Sequence, residues 1–212
     1  EALDNLHGDL TSREKGWVYV CFANALTTVA VQRGDIGLYK KAAESYGKCL
    51  DAITEDEASF EWAMIRKNLG AVLQAIAERS GNETALGDAA DNYRAALRVL
   101  SASDHGLEWA AVQNRLGEVL FRLDFASGDI EMLKHSLSAF QAALQVFTRA
   151  KMPMRWADAM NNLAQVTQVL GEQLKSVEAL EKAAHACRVV LEVRTKSKTP
   201  VLWAATRASR PT

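Results

Sequence analysis

Three cysteines, Cys21, Cys49 and Cys187, are all that this 212-residue chain has, and they form neither a CxxC pair nor an even-numbered framework. That argues against a disulfide-stapled secreted scaffold and points to a reducing compartment, the cytoplasm. No apolar run approaches the ~20 residues needed to cross a bilayer, and no signal peptide opens the chain, so no membrane insertion is expected. Charge of one sign is missing too. Twenty-six acids face 25 bases, which leaves no global field to recruit nucleic acid or an anionic membrane. The bases are scattered among the acids without an aromatic-and-basic signature, so no nucleic-acid partner is expected. The one asymmetry lies at the end, where the last acid is Glu192 and five bases follow: Arg194, Lys196, Lys198, Arg207 and Arg210. A basic tail this short reads as a solvated end.

Catalytic signatures are equally sparse. His7, His105, His135 and His185 fall in different parts of the chain, with no HExxH and no cysteine at metal-ligand spacing. The glycines never form GxGxxG or a phosphate loop. The sequence therefore predicts no catalytic residues, no metal, no cofactor and no enzyme. A hydrophobic content of 49% is nonetheless ample for a folded core.

What the chain does have is a period. Trp17, Trp62, Trp109, Trp156 and Trp203 are its only tryptophans and stand 45, 47, 47 and 47 residues apart. Their surroundings repeat with them, as Asn68-Leu69-Gly70, Asn114-Arg115-Leu116-Gly117 and Asn161-Asn162-Leu163-Ala164. A second block recurs as KAAESYGKCL, DAADNYRAAL, HSLSAFQAAL and KAAHACRVVL, ending at Leu50, Leu97, Leu144 and Leu191. Both have helical spacing, with Trp62, Ile65, Leu69, Leu73 and Ile76 on one stripe and Ala89, Tyr93, Ala96 and Leu97 on the other. Helix starts are marked by capping-box patterns at Thr11-x-x-Glu14 and Thr54-x-x-Glu57, and by Pro153 and Pro200 in first turns. Gly34-Asp35, Gly81-Asn82 and Gly128-Asp129 are turn signals between paired helices. The fourth repeat has Lys175-Ser176 there, which predicts a tighter or partly helical turn.

A lone hairpin cannot hide its apolar stripe, so neighbouring hairpins must stack and share a core. The predicted fold is all-α, an α-solenoid of about four stacked antiparallel helical hairpins forming one repeat domain over residues 1–212. Its repeats fall at about 11–53, 54–102, 103–151 and 152–198, with a C-terminal capping helix and tail over 199–212. Gly70, Gly117 and Ala164 should let the second helix of each hairpin approach closely. Each tryptophan should seal the junction between its own helix and the preceding hairpin, Trp109 and Trp156 mattering most. Val201, Leu202, Ala204 and Ala205 should lie back on the fourth repeat as a cap.

The pattern Asn-Leu-Gly followed by Ala-x-x-x-Tyr/Phe-x-x-Ala-Leu resembles the tetratricopeptide repeat family over nearly the whole chain. The unit is longer than the 34-residue standard and is similar to a long bacterial form with one tryptophan per repeat. The resemblance implies a helical array whose first helices line a concave surface, often appended to signalling or effector domains. With Leu69, Leu116 and Leu163 set as equivalent, the opposite face carries Lys67, Ala71 and Gln74, then Asn114, Glu118 and Phe121, then Asn161, Gln165 and Gln168. The position just before each leucine holds Asn68, Arg115 and Asn162, with Asn24 the counterpart in repeat 1.

Asparagines on that surface resemble ladders that grip an extended peptide, since an amide offers a donor and an acceptor together. The expected peptide-binding set is thus Asn24, Asn68, Asn114, Asn161 and Asn162 with Lys67, Gln74, Glu118, Phe121, Arg122, Gln165 and Gln168, in which Lys67, Glu118 and Arg122 supply selectivity. The alternative is that these amides are solvated or cap neighbouring backbone. The expected function is a non-enzymatic scaffold that binds a protein or peptide partner, as an extended segment or a helix, in a concave groove. The alternative is a sensor or assembly module of a larger signalling or effector protein, acting by packing on another domain or by self-association.

Overall fold

The computed structural model describes residues 10–127 and 130–208, with the backbone alone for 124–127. Nine helices and no strand occur among these residues. They are α1 (Ser12–Arg33), α2 (Ile36–Ala52), α3 (Ser59–Ser80), α4 (Glu83–Val99), α5 (Gly106–Ser127), α6 (Ile130–Val146), α7 (Pro153–Gln173), α8 (Val177–Leu191) and α9 (Pro200–Ala208). Consecutive helices pair as hairpins, α1 with α2, α3 with α4, α5 with α6 and α7 with α8. The architecture is a helical repeat of four hairpins followed by a C-terminal helix. By internal packing the chain divides into two compact units, with the division after Leu100. In the N-terminal unit α2 also packs on α3. In the C-terminal unit α6 packs on α7 and α8 on α9, and α5 touches α7.

Local chemistry explains most boundaries. Thr11 and Glu14 form the expected capping box, the Thr11 side chain accepting from the Glu14 amide while the Glu14 carboxylate accepts from Thr11. The second expected box does not form. Helix α3 starts later, behind Ala58, and Thr54 instead uses its carbonyl to accept the Ala58 amide in a separate turn. Gly34 and Gly81 take left-handed conformations, φ 65° and 68°, and Asp35 and Asn82 cap the helices that follow. Gly128-Asp129 lies outside the described residues.

In the fourth repeat Lys175 adopts the same left-handed conformation at φ 52°, and Ser176 caps α8. The turn therefore copies the glycine turns without glycine. A left-handed side chain costs roughly 1–2 kcal/mol, and glycine gives back about 0.5–1 kcal/mol through the freedom of its unfolded chain. Lys175→Gly is therefore expected to stabilise by up to about 1 kcal/mol, and a thermal melt that shows a loss would contradict this account of the turn.

Inside each hairpin the two helices meet through a small residue and a larger one. Residues 23, 70, 117 and 164 are Ala, Gly, Gly and Ala, and residues 46, 93, 140 and 187 are Tyr, Tyr, Phe and Cys, all of them buried. A methyl group added at Gly70 would lie 2.8 Å from Tyr93 Cε1, and one at Gly117 would lie 2.8 Å from Phe140 Cε1 and Cζ. Alanine at 117 gains about 1 kcal/mol of helix propensity but overpacks a filled core, at a cost of about 1–3 kcal/mol. Gly117→Ala is expected to lower the melting temperature.

Where the second-helix ring carries a hydroxyl, a side-chain amide of the first helix answers it: Tyr93 donates to Gln74 at 3.0 Å, and Tyr46 donates to Asn24 at 2.5 Å. Phe140 has no hydroxyl, and the residue matching Gln74 is Phe121, packed against the cluster of Leu133, Phe140, Val166 and Leu170.

The tryptophans depart from expectation in rank. Trp62 is the most buried at 5% exposure, Trp109, Trp156 and Trp203 are half-buried, and Trp17 is 36% exposed. Trp156 does face the preceding hairpin, against Ala143 and Phe147. Each of two rings is also covered by an arginine from a helix-end ion pair: Arg98, paired with Glu55, over Trp62, and Arg149, paired with Glu192, over Trp156. The two pairs occupy the same repeat positions with their charges exchanged.

Helix α9 packs on α8, but not as an apolar cap. Val201 is 79% exposed and Leu202, Ala204 and Ala205 are exposed as well, leaving Thr206 as its buried residue. Thr206 accepts a hydrogen bond from Arg194 at 2.8 Å. Arg194 is thus no solvated tail residue: it is 5% exposed and occupies the position held by Ile53, Leu100 and Phe147 in the earlier repeats.

Candidate functional site

The first helices of the two C-terminal hairpins, α5 and α7, place their polar residues on a shared cleft of about 490 Å³. Ala111, Asn114, Arg115 and Glu118 come from α5, and Arg155, Asp158 and Asn162 come from α7. Phe147, just past α6, and Arg194, beyond α8, complete the lining. Helical spacing explains the α5 side, since 111, 114, 115 and 118 recur at three and four residues and so share one face.

Glu118 is the hub. Its Oε1 accepts from Asn114 Nδ2 at 2.8 Å and from Asn162 Nδ2 at 3.1 Å, and its Oε2 accepts from Arg115 Nη1 at 3.1 Å. Across the cleft Arg194 Nη2 donates to Asp158 Oδ1 at 2.5 Å. Arg155 lies over the Phe147 ring, 5.6 Å from its centroid. Three guanidiniums and two carboxylates therefore line the cleft, and each carboxylate is bonded to one arginine. Asn114 Oδ1 is buried without a protein partner. The nine lining residues include no serine, cysteine, histidine or lysine.

Of the residues expected from sequence, the cleft brings together Asn114, Glu118 and Asn162. Asn161 does not open onto it: it is 7% exposed, with its own Oδ1 buried and without a protein partner. Phe121 belongs to the core beside Phe140, Arg122 is exposed, and Gln165 is half-buried away from the lining. Gln168 donates to Glu172 at 2.9 Å along its own helix.

In the N-terminal unit the expected residues serve the hairpins. Asn24 accepts from the Tyr46 hydroxyl at 2.5 Å, and Asn68 hydrogen-bonds the same tyrosine. Burial raises the pKa of that hydroxyl, while the bonds from Thr27 and Asn68 pull it partly back. Gln74 is buried and engaged by Tyr93 and Glu78, which corrects its assignment to a groove. Lys67 is half-buried on α3.

The sequence reading missed Arg115, Arg155, Asp158, Arg194, Phe147 and Ala111 as members of the site. A signal for two of them lay in the register. Asp158 stands where Met64 and Ala111 stand, and Arg194 where Ile53, Leu100 and Phe147 stand, so each is a charge at an otherwise apolar repeat position.

Among the described residues, no three His, Cys, Asp or Glu side chains gather as a metal ion would need. None of the described helices is long and apolar enough to cross a membrane. No family model matches the chain and no curated protein resembles it. Among solved structures, it is similar to the DHF58 filament at TM-score 0.46 and 18% identity, over 94% of this chain and 99% of that one. It is also similar to the de novo designed helical repeat protein DHR64 at TM-score 0.41 and 20% identity, covering 94% and 97%. The DHF79 filament follows at 0.40 and 21%, covering 82% and 96%.

Proposed function

We propose that this chain is a non-enzymatic interaction scaffold of the tetratricopeptide kind, working in a bacterial cytoplasm, and that the cleft between α5 and α7 holds an extended peptide or a partner helix. One observation carries the reading: an open polar cleft that gathers two side-chain amides, three guanidiniums and two carboxylates, which together offer donors and acceptors to a polypeptide backbone. The lining suits recognition of backbone and charge, and its arginines belong to the residue type enriched in binding hot spots.

The test is selection of a random dodecapeptide phage library on the immobilised full chain. Selected peptides should bind the double variant Asn114→Ala/Asn162→Ala about tenfold more weakly or worse, since two hydrogen bonds of about 0.5–1.5 kcal/mol each go together. Because both amides also bond Glu118, the double variant should itself be less stable by about 1 kcal/mol. Peptides that bind it as well as the parent would remove the cleft from the mechanism.

A second reading, an assembly or sensor module of a larger signalling or effector protein, is favoured by the exposed apolar residues of the terminal helices. These are Trp17 and Phe22 on α1, and Val201 and Leu202 on α9. Light scattering that shows a defined oligomer, lost on Val201→Glu, would favour self-association.

A further inference from the structure

The residue two before each tryptophan is large, apolar and exposed from the second repeat onward: Phe60, Leu107, Met154 and Val201. In the C-terminal unit this makes a strip beside the cleft, since Leu107 lies one turn before Ala111 and Met154 one turn before Asp158, both of which line it. Helix α9 packs on α8 as α7 packs on α6, which puts Val201 in the third place of the row, with the exposed Leu202 next to it. Charges flank the strip, three residues before and one after the apolar side chain, and they change sign along it. Asp104 and Glu108 stand at the start of α5, Lys151 and Arg155 at the start of α7, and Lys198 just ahead of α9, all of them exposed but the half-buried Glu108. The acids suit the positive end of a helix dipole, whereas the bases sit at that same end, where a cation is disfavoured. No described residue pairs with the Lys151 or Lys198 ammonium, so neither helix stability nor an ion pair accounts for these two bases.

We infer that the partner is an amphipathic helix lying across the first turns of α5, α7 and α9, basic over α5 and acidic over α7 and α9; this rests on reading the face as a peptide or helix site and commits to the helix. Packed helices stand roughly 8–10 Å apart, and α5 meets α7 directly. On a helix, residues seven apart share a face and rise about 10.5 Å, so apolar side chains at i, i+7 and i+14 meet Leu107, Met154 and Val201 in turn. An extended strand covers one such step in about three residues, and residues three apart turn to opposite faces. Charge completes the match: bases near the first anchor meet Asp104 and Glu108, and acids near the second and third meet Lys151, Arg155 and Lys198. In the N-terminal unit the corresponding positions hold Glu57, Phe60 and Glu61, so the reversal of sign enters with the fourth repeat.

The test uses the full chain and two fluorescein-labelled helical peptides of about three heptads, identical in composition and in their leucine stripe. One gathers its glutamates in one half and its lysines in the other, and its companion alternates them. Fluorescence anisotropy at low salt should show the segregated peptide binding about tenfold more tightly, an advantage that shrinks at high salt. In Lys151→Glu/Lys198→Glu the strip is acidic throughout, and the ratio should collapse toward one. Acids at those positions suit the helix dipoles, so that variant should fold at least as well as the parent. Met154→Ser should weaken both peptides about tenfold, as loss of a central apolar anchor implies. Equal binding of the two peptides by the parent overturns the inference, and so does a preference that survives the charge variant or binding that ignores Met154→Ser. If neither helical peptide binds while library-selected peptides still bind through Asn114 and Asn162, the inference falls and the reading of the cleft stands. If the selected peptides fail as well, both fall.

Discussion

Trp62→Ala should destabilise the protein by about 3–5 kcal/mol, the range for deleting a large buried aromatic side chain. The ring is 5% exposed and is met by two guanidiniums, with Arg66 at 4.8 Å and Arg98 at 5.4 Å from its centroid. Each such contact adds about 0.5–1 kcal/mol where the cation stays partly solvated. Alanine leaves a cavity under both arginines, and Arg98 keeps only its partner Glu55. Trp17→Ala should lose far less, because that ring is already 36% exposed. Trp109 and Trp156, both half-buried, should fall between. Urea denaturation of the four variants gives the ranking. A Trp17 variant that lost as much as the Trp62 variant would overturn the link between burial and stability drawn here.

Arg194 gives the second large effect, and its sign should reverse between single and double variants. Replacing Arg194 by phenylalanine alone removes the donor to Thr206, which is fully buried, so an unsatisfied hydroxyl is left inside at a cost of about 1–3 kcal/mol. Asp158 also loses its partner, but it is half exposed and water can replace the guanidinium. Changing both residues, Arg194→Phe with Thr206→Ala, copies the pair Phe147 and Ala159 that packs in one cluster at the preceding junction. Exchanging a buried polar pair for well-packed apolar groups is often neutral, or stabilising by about 1–4 kcal/mol. The double variant should therefore be at least as stable as the parent in chemical denaturation. If it is weaker than the single variant, the two positions are not coupled through their hydrogen bond.

The periodicity of tryptophans and leucines was sufficient to read nine helices and four hairpins, because stripes and turn residues are local signals carried by each repeat. The boundary at Thr54 was misread for an equally local reason. A capping box is a four-residue pattern, and it does not reveal that a separate turn precedes α3 with Ala58 in the cap position. The candidate site was half legible. Asn114, Glu118 and Asn162 share a face by helical spacing, and the structure does gather them. The assumption that every amide on that face serves the same purpose was where the reading failed. Asn24 and Asn68 answer a tyrosine hydroxyl of the second helix, and whether such a hydroxyl needs answering depends on a residue some 20 positions away. Arg155 and Arg194 were passed over because a charge beside the cleft and a charge in a tail look alike until the fold brings α5, α7 and the segment after α8 together.

The pairing of a small first-helix residue with a larger second-helix one bears on how such a chain can be reshuffled. Gly70 with Tyr93, Gly117 with Phe140 and Ala164 with Cys187 each lie within one hairpin, so recombination at the loops between hairpins carries every pair across intact. A crossover at the turn inside a hairpin splits it. Joining the α7 half, with Ala164, to the α6 half, with Phe140, would put a methyl group where only a hydrogen fits. Joining the α5 half, with Gly117, to the α8 half, with Cys187, would leave a hole where a ring had been. The hairpin is therefore the smallest segment that lineages of this sequence can duplicate, delete or trade without repair elsewhere, and breakpoints in related arrays should gather at positions near 55, 102, 149 and 196 and avoid those near 34, 81 and 175.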